Sequence, residues 1–377
     1  MDFKPLAQFI DRMTAWRIPW AEVLVIHRNR PVFRYRSGYL DLEAGTPIEE
    51  GKMINLYSMT KVMTCVAALR LVEQGLILLN DPLGEYLPEY AEMNVQKRLP
   101  GGEVALERAQ RPITVRDLFA MTAGFSYDTA SPSLQEAVQR TNGQVPTRAF
   151  AEALAKEPLL FEPGTRWNYS LCHDVLGALV EAVDGRRFGA YIRDEITGPL
   201  GMRDTVFDLS EEQRSRLAPQ YEYNDALGQA VRKDGNGYRL GTAFESGGAG
   251  LLSTVSDYSL FLNALTNRGT SPDGVRILAP ATVDLMRTDV LTGRMREDFS
   301  WEQLKGYGYG LGVRTHISKA ESGALSPLGE FGWAGAAGCL AVVDPNEQVT
   351  VMYAQHLLNS QEPYVHPRLK NLVYACL

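Results

Sequence analysis

The sequence predicts an α+β protein of two lobes, with a central antiparallel β-sheet flanked by helices and a mainly helical lobe inserted into it. Three observations lead there. The 377 residues exceed one typical globular core, strand-like hairpins lie near both ends, and the middle of the chain carries apolar residues at helical spacing. In chain order, Leu6, Phe9, Ile10, Met13 and Trp16 recur three or four apart, with Asp2 and Asp11 breaking any apolar run. That spacing predicts an amphipathic helix rather than a signal peptide. Residues 21–38 read as two strands joined by a polar turn, Arg28-Asn29-Arg30-Pro31. Helical periodicity follows in Val62 to Glu73, Thr114 to Met121, Thr147 to Lys156, Cys172 to Val183 and Phe188 to Ile196. Gly338 to Val343 and Gln348 to Ala354 then flank the turn Asp344-Pro345-Asn346-Glu347, a second hairpin. Pairing the two ends in one sheet assigns 1–80 and 241–377 to the sheet lobe and 81–240 to the helical lobe, with a site in the cleft between them.

Composition narrows the function. A net charge of −7 disfavours a nucleic-acid partner, which needs a concentrated basic surface. No stretch reaches the ~18 apolar residues of a membrane span, so a cytoplasmic protein with no membrane partner is expected. Cys65, Cys172, Cys339 and Cys376 show no CxxC spacing and are expected to be free, buried thiols. The five histidines are dispersed without HxxxH or HxH pairs, and no metal is assigned. Neither a phosphate-binding Gly-x-x-x-x-Gly-Lys-Ser/Thr nor a dinucleotide fingerprint is present, so no cofactor is expected. Gly-x-Ser-x-Gly is also missing, which disfavours the α/β-hydrolase elbow.

Ser58-Met59-Thr60-Lys61 is the chain's one Ser-x-x-Lys, at the start of a Leu-, Ala- and Val-rich segment ending at Gly75. Positions three apart share a helix face, so the Lys61 amine can reach the Ser58 hydroxyl and activate it as a nucleophile. Alone the motif is weak: 18 serines and nine lysines give a chance expectation of roughly 0.4 matches.

Its surroundings are more specific. Ile54 to Lys61, followed by Ala67 to Leu83, resembles the nucleophile region of serine β-lactamases, penicillin-binding proteins and related esterases. Ile113-Thr114-Val115-Arg116-Asp117-Leu118 with Met121-Thr122-Ala123-Gly124-Phe125 is similar to the helix and glycine turn that precede that family's active-site loop. Phe161 to Ser170, Gly247 to Thr254 with Asp257-Tyr258, and Gly308-Tyr309-Gly310-Leu311-Gly312 follow in the family's order, so the resemblance covers roughly residues 20–360. It implies a β-lactamase/DD-peptidase-like fold and a covalent acyl-enzyme on Ser58. Tyr169 matches the tyrosine of the family's Tyr-x-Asn motif, which would share the proton with Lys61 as a coupled pair, each favouring the other's less usual state, phenolate and neutral amine.

Two departures point to the branch. Leu171 replaces the asparagine of Tyr-x-Asn, and Gly332-Trp333-Ala334-Gly335 stands where the family usually places Lys-Thr-Gly or His-Thr-Gly on an edge strand. A carboxylate-bearing amide thus loses its lysine partner. Tyr-Ser-Leu and Trp-x-Gly resemble the β-lactamase-like carboxylesterases (family VIII), here Tyr169-Ser170-Leu171 and Trp333-Ala334-Gly335. The resemblance implies an oxyanion hole from the N–H groups of Ser58 and Ala336, with Gly335 and Gly338 allowing close approach of the acyl group.

The expected function is a serine hydrolase taking a small-molecule ester or amide, foremost a carboxylesterase for short acyl chains. The alternatives are a β-lactamase or D-amino-acid peptidase, with Arg287, Arg294 or Arg296 supplying the missing cation, an acyltransferase, and a non-catalytic penicillin-binding-like sensor. Gln96 to Arg111, Thr129 to Pro146 and Tyr221 to Arg239 are expected to shape the cleft mouth.

Overall fold

The computed structural model describes residues 1–377. Eight strands form one antiparallel sheet: β1 (Trp20–His27), β2 (Arg30–Asp41), β3 (Thr46–Pro47), β4 (Tyr307–Tyr309), β5 (Arg314–His316), β6 (Phe331–Gly332), β7 (Leu340–Asp344) and β8 (Val349–Ala354). Their spatial order is β4-β5-β6-β7-β8-β1-β2-β3. Both expected hairpins are present, and the sheet joins them at its middle, with Glu22 opposite Ala354 and His27 opposite Val349. Arg28 and Asn29 turn the first hairpin at positive φ.

The five helices that matter for the site are α1 (Lys4–Trp16), α2 (Thr60–Glu73), α3 (Cys172–Asp184), α4 (Val255–Thr266) and α5 (Glu362–Cys376). Successive side chains of a strand point to opposite faces, and here both faces are covered. Val23, Val25, Val342, Val351 and Tyr353 pack against α1 and α5, while Leu24, Ile26, Ala341, Val343 and Met352 join the larger core with α2, α3 and α4. Burial on both sides explains why β1, β7 and β8 read as nearly unbroken apolar runs.

The remaining expected helices are present with trimmed ends. Thr114 to Met121 narrows to Val115–Phe119, capped reciprocally by Thr114 and Asp117. Thr147 to Lys156 ends at Leu154, and Phe188 to Ile196 passes from α-helix into a π-turn at Arg193–Thr197. The segment 81–240 also contains two hairpins, Asn94–Arg98 with Val104–Arg108 and Tyr221–Asn224 with Gln229–Arg232. The second pairs in parallel with Leu357–Leu358, which ties it to the sheet side of the molecule. The four cysteines are free and buried, and no helix is long and apolar enough to cross a membrane.

Candidate active site

Ser58 lies in a 3₁₀ turn, Tyr57–Met59, that runs into α2. Tyr57 adopts a left-handed backbone (φ 47°), a strained conformation for a bulky residue. Its side chain is buried and its hydroxyl donates to Gln220 Oε1 at 2.5 Å. The turn presents Ser58, half-buried, to a cavity of about 300 Å³. Its N–H is in the first turn, where helices leave donors without internal acceptors.

One turn on, Lys61 is completely buried, so its ammonium requires partners. Nζ donates to the Gly248 carbonyl (2.7 Å), the Tyr127 hydroxyl (3.2 Å) and Ser58 Oγ (3.4 Å). It also lies 4.7 Å from the Tyr169 ring centre and 5.3 Å from that of Tyr127. Burial alone would lower the Lys61 pKa, but Tyr127, Tyr169 and Asp174 outweigh it and push it up. The three acceptors around Nζ favour its ammonium form. Burial pushes the Tyr127 phenol up, against the pull of Lys61.

The carbonyl that holds Lys61 is itself fixed by α3. Asp174 Oδ1 accepts from Ser246 Oγ (2.5 Å) and from the Gly248 N–H (3.1 Å). The contact is so close that a Cβ on Gly248 would sit 2.4 Å from Asp174 Oδ2, which explains the glycine. Burial raises the Asp174 pKa, opposed by Lys61 and by these hydrogen bonds. Asp174→Asn should lower kcat about tenfold with little change in KM, because its carboxylate acts on Lys61 through charge and loop position. Losing that charge lowers the Lys61 pKa, so the alkaline limb of the kcat profile should move to lower pH; a pH–rate profile checks this.

Tyr169, on the loop before α3, accepts a hydrogen bond from the Trp333 indole N–H (3.2 Å). The two rings stack with centres 5.7 Å apart, and Tyr127 stacks on the other side of Tyr169 at 5.4 Å. Tyr238, Trp301, Trp333 and Leu304 complete a largely aromatic wall. After Trp333 the chain makes a turn in which the Gly338 N–H donates to Gly335 O, while the Ala336 N–H has no acceptor within the chain. Gly335 lies directly against the backbone before the nucleophile: a Cβ there would meet the Leu56 carbonyl at 2.4 Å.

A sequence pattern of the beta-lactamase family matches residues 6–375. The chain belongs to the beta-lactamase family. It is 35% identical over 342 residues to Protein Rv1367c of Mycobacterium tuberculosis, covering 88% of this chain and 84% of that protein. Esterase EstB of Burkholderia gladioli is 28% identical over 366 residues, 90% of this chain and 86% of the relative. Simvastatin synthase (LovD) from Aspergillus terreus has a similar solved structure, with a TM-score of 0.82, 25% identity, and 100% and 98% of the two chains covered. Members of this serine hydrolase superfamily thus include an esterase and a synthase.

Within this beta-lactamase-family cavity the structure brings together Ser58, Tyr169, Trp333, Gly335 and Ala336, with Lys61 buried behind Ser58. Leu171 lies outside: it is buried in the core and starts α3. β6, which leads into Trp333, is an interior strand between β5 and β7, not the edge strand expected. The three candidate arginines also lie elsewhere. Arg287 pairs with Asp284 and donates to Gly329 O, Arg294 faces Glu297, and Arg296 pairs with Asp289. Of the three segments expected at the cleft mouth, only Tyr238 reaches the cavity. Sequence reasoning missed Tyr127; its signal was the Met121–Phe125 turn, which introduces the loop that carries it.

Proposed function

We propose that the protein is a carboxylesterase that acylates Ser58 with short acyl groups. The observation that carries this reading is Trp333: an indole donating to Tyr169 stands where a carboxylate-binding lysine would stand, inside an aromatic wall. The one cation beside Ser58 is Lys61, and it is committed to the Gly248 carbonyl and a phenol. A carboxylate next to the scissile bond would therefore lose its hydration without gaining a partner.

In this mechanism Ser58 Oγ attacks the ester carbonyl while its proton passes to the Tyr169 oxygen, and the Lys61 ammonium stabilises the negative charge on that phenol. The N–H groups of Ser58 and Ala336 hold the oxyanion. The proton then moves to the departing alcohol, and water attacks the acyl-enzyme with Tyr169 again as base. A second reading uses the same intermediate, with an alcohol in place of water taking the acyl group.

Rates on p-nitrophenyl acetate, butyrate and octanoate against nitrocefin test the proposal. The short esters should lead by about 10²-fold in kcat/KM, the scale set by an unpaired, desolvated carboxylate. Faster nitrocefin hydrolysis would make the protein a β-lactamase.

A further inference from the structure

The aromatic wall is only part of the cavity. Beyond the Trp333–Ala336 turn the lining continues to Arg314 and to one face of α5, where Glu362, His366 and Lys370 project at successive four-residue intervals. A His366 ring N–H donates to the Gly338 carbonyl (3.1 Å), which fixes this face against the turn. Polar side chains on the buried side of a helix are costly unless they are used.

Lys370 is 3% exposed, yet its ammonium has one hydrogen-bond acceptor, the Tyr307 hydroxyl at 2.6 Å. Tyr307 donates in turn to Glu330 (3.0 Å), and Arg314 donates to the same carboxylate (2.9 Å). Glu330 is completely buried, as is Arg314 to within 2%. Glu330 thus pairs directly with Arg314 and reaches Lys370 only through the Tyr307 hydroxyl. Burial, reinforced by Arg314, lowers the Lys370 pKa to about 7 despite Glu330. Burial likewise raises the Glu362 pKa, to about 7, against Ser360 and Gln303. His316 and His366 are both held neutral by burial. No carboxylate bonds Lys370 directly.

We propose that this end of the cavity is a carboxylate-binding subsite in which Lys370 pairs with the free acid of a dicarboxylic hemiester, remote from the scissile bond. The acid belongs on the acyl side, because the acyl chain stays bound to Ser58 after the alcohol has left. A bound carboxylate would accept the two unfilled Lys370 N–H groups, and protonated Glu362 can donate to it. This assignment rests on the esterase reading and adds the substrate class to it.

Phenyl hemiadipate and phenyl 6-oxoheptanoate, in which a methyl ketone replaces the carboxylate, form the test pair. The hemiester should be favoured at least about tenfold in kcat/KM, mostly through KM, as a buried charge-assisted pair requires. Lys370→Met should erase the preference, the hemiester falling to the level of the neutral ester. Equal wild-type rates on the two esters, or a preference that survives Lys370→Met, would overturn the proposal. If Lys370→Met does not fold, the wild-type comparison decides alone. Calorimetric binding of monomethyl adipate to Ser58→Ala protein separates the two readings. Binding without turnover of either ester by wild type would remove the esterase and keep the subsite; no binding would remove the subsite.

Discussion

Replacing Ser58 by alanine is expected to reduce ester turnover about 10³-fold or more, with the fold intact. No other hydroxyl can take its place: Ser58 is the side chain that the strained Tyr57 turn presents to the cavity within reach of the Lys61 ammonium. A covalent route removed at its nucleophile leaves only binding and oxyanion stabilisation, and triad-type enzymes lose rate on that scale. Mass spectrometry of protein mixed with a slow ester or a fluorophosphonate gives the second readout. Wild type should gain one acyl or phosphonyl group on the peptide containing Ser58, and the alanine protein none. Turnover retained by Ser58→Ala would end the acyl-enzyme mechanism.

Tyr169→Phe is expected to lower kcat by about 10²–10⁴-fold, the range for removing a positioned general base. Phenylalanine keeps the stack on Tyr127 and Trp333 and deletes only the oxygen that accepts from the indole. Tyr127→Phe is the natural comparison, since Tyr127 holds Lys61 directly at 3.2 Å. Its loss should cost about tenfold, the share of a group that positions the lysine. The reverse ranking in single-turnover assays would move the base to Tyr127 and leave Tyr169 as support for Trp333.

Much of this architecture was legible because its signals are local. β1 and β8 are short apolar runs next to turn residues, and Ser58 and Lys61 are one helical turn apart, so each could be read from a few consecutive residues. Helix α5 was not: Pro363 and Pro367 argue against a helix, although Pro363 sits in the first turn, where proline is tolerated. Helix α4 is buried on nearly all sides, which weakens the amphipathic pattern. The charged hairpin at 94–108 looked like a loop because its residues are mostly exposed. Within the site, Trp333 was readable from its place in an ordered motif set. Tyr127, Gly248 and Lys370 converge from separate elements, and no spacing in sequence encodes such a meeting.

The strand order also governs when the cavity around Ser58 can form as the protein is made. β1 emerges from the ribosome early but lies at the middle of the sheet, flanked on one side by β8. Contacts between such distant segments close late, since chain entropy must be spent before they form. Ser58 and Lys61 are therefore synthesised long before β7, β8 and α5 can close the cavity around them. A nascent chain halted before residue 349 would hold Ser58 and Lys61 while β1 still lacked its central partner β8.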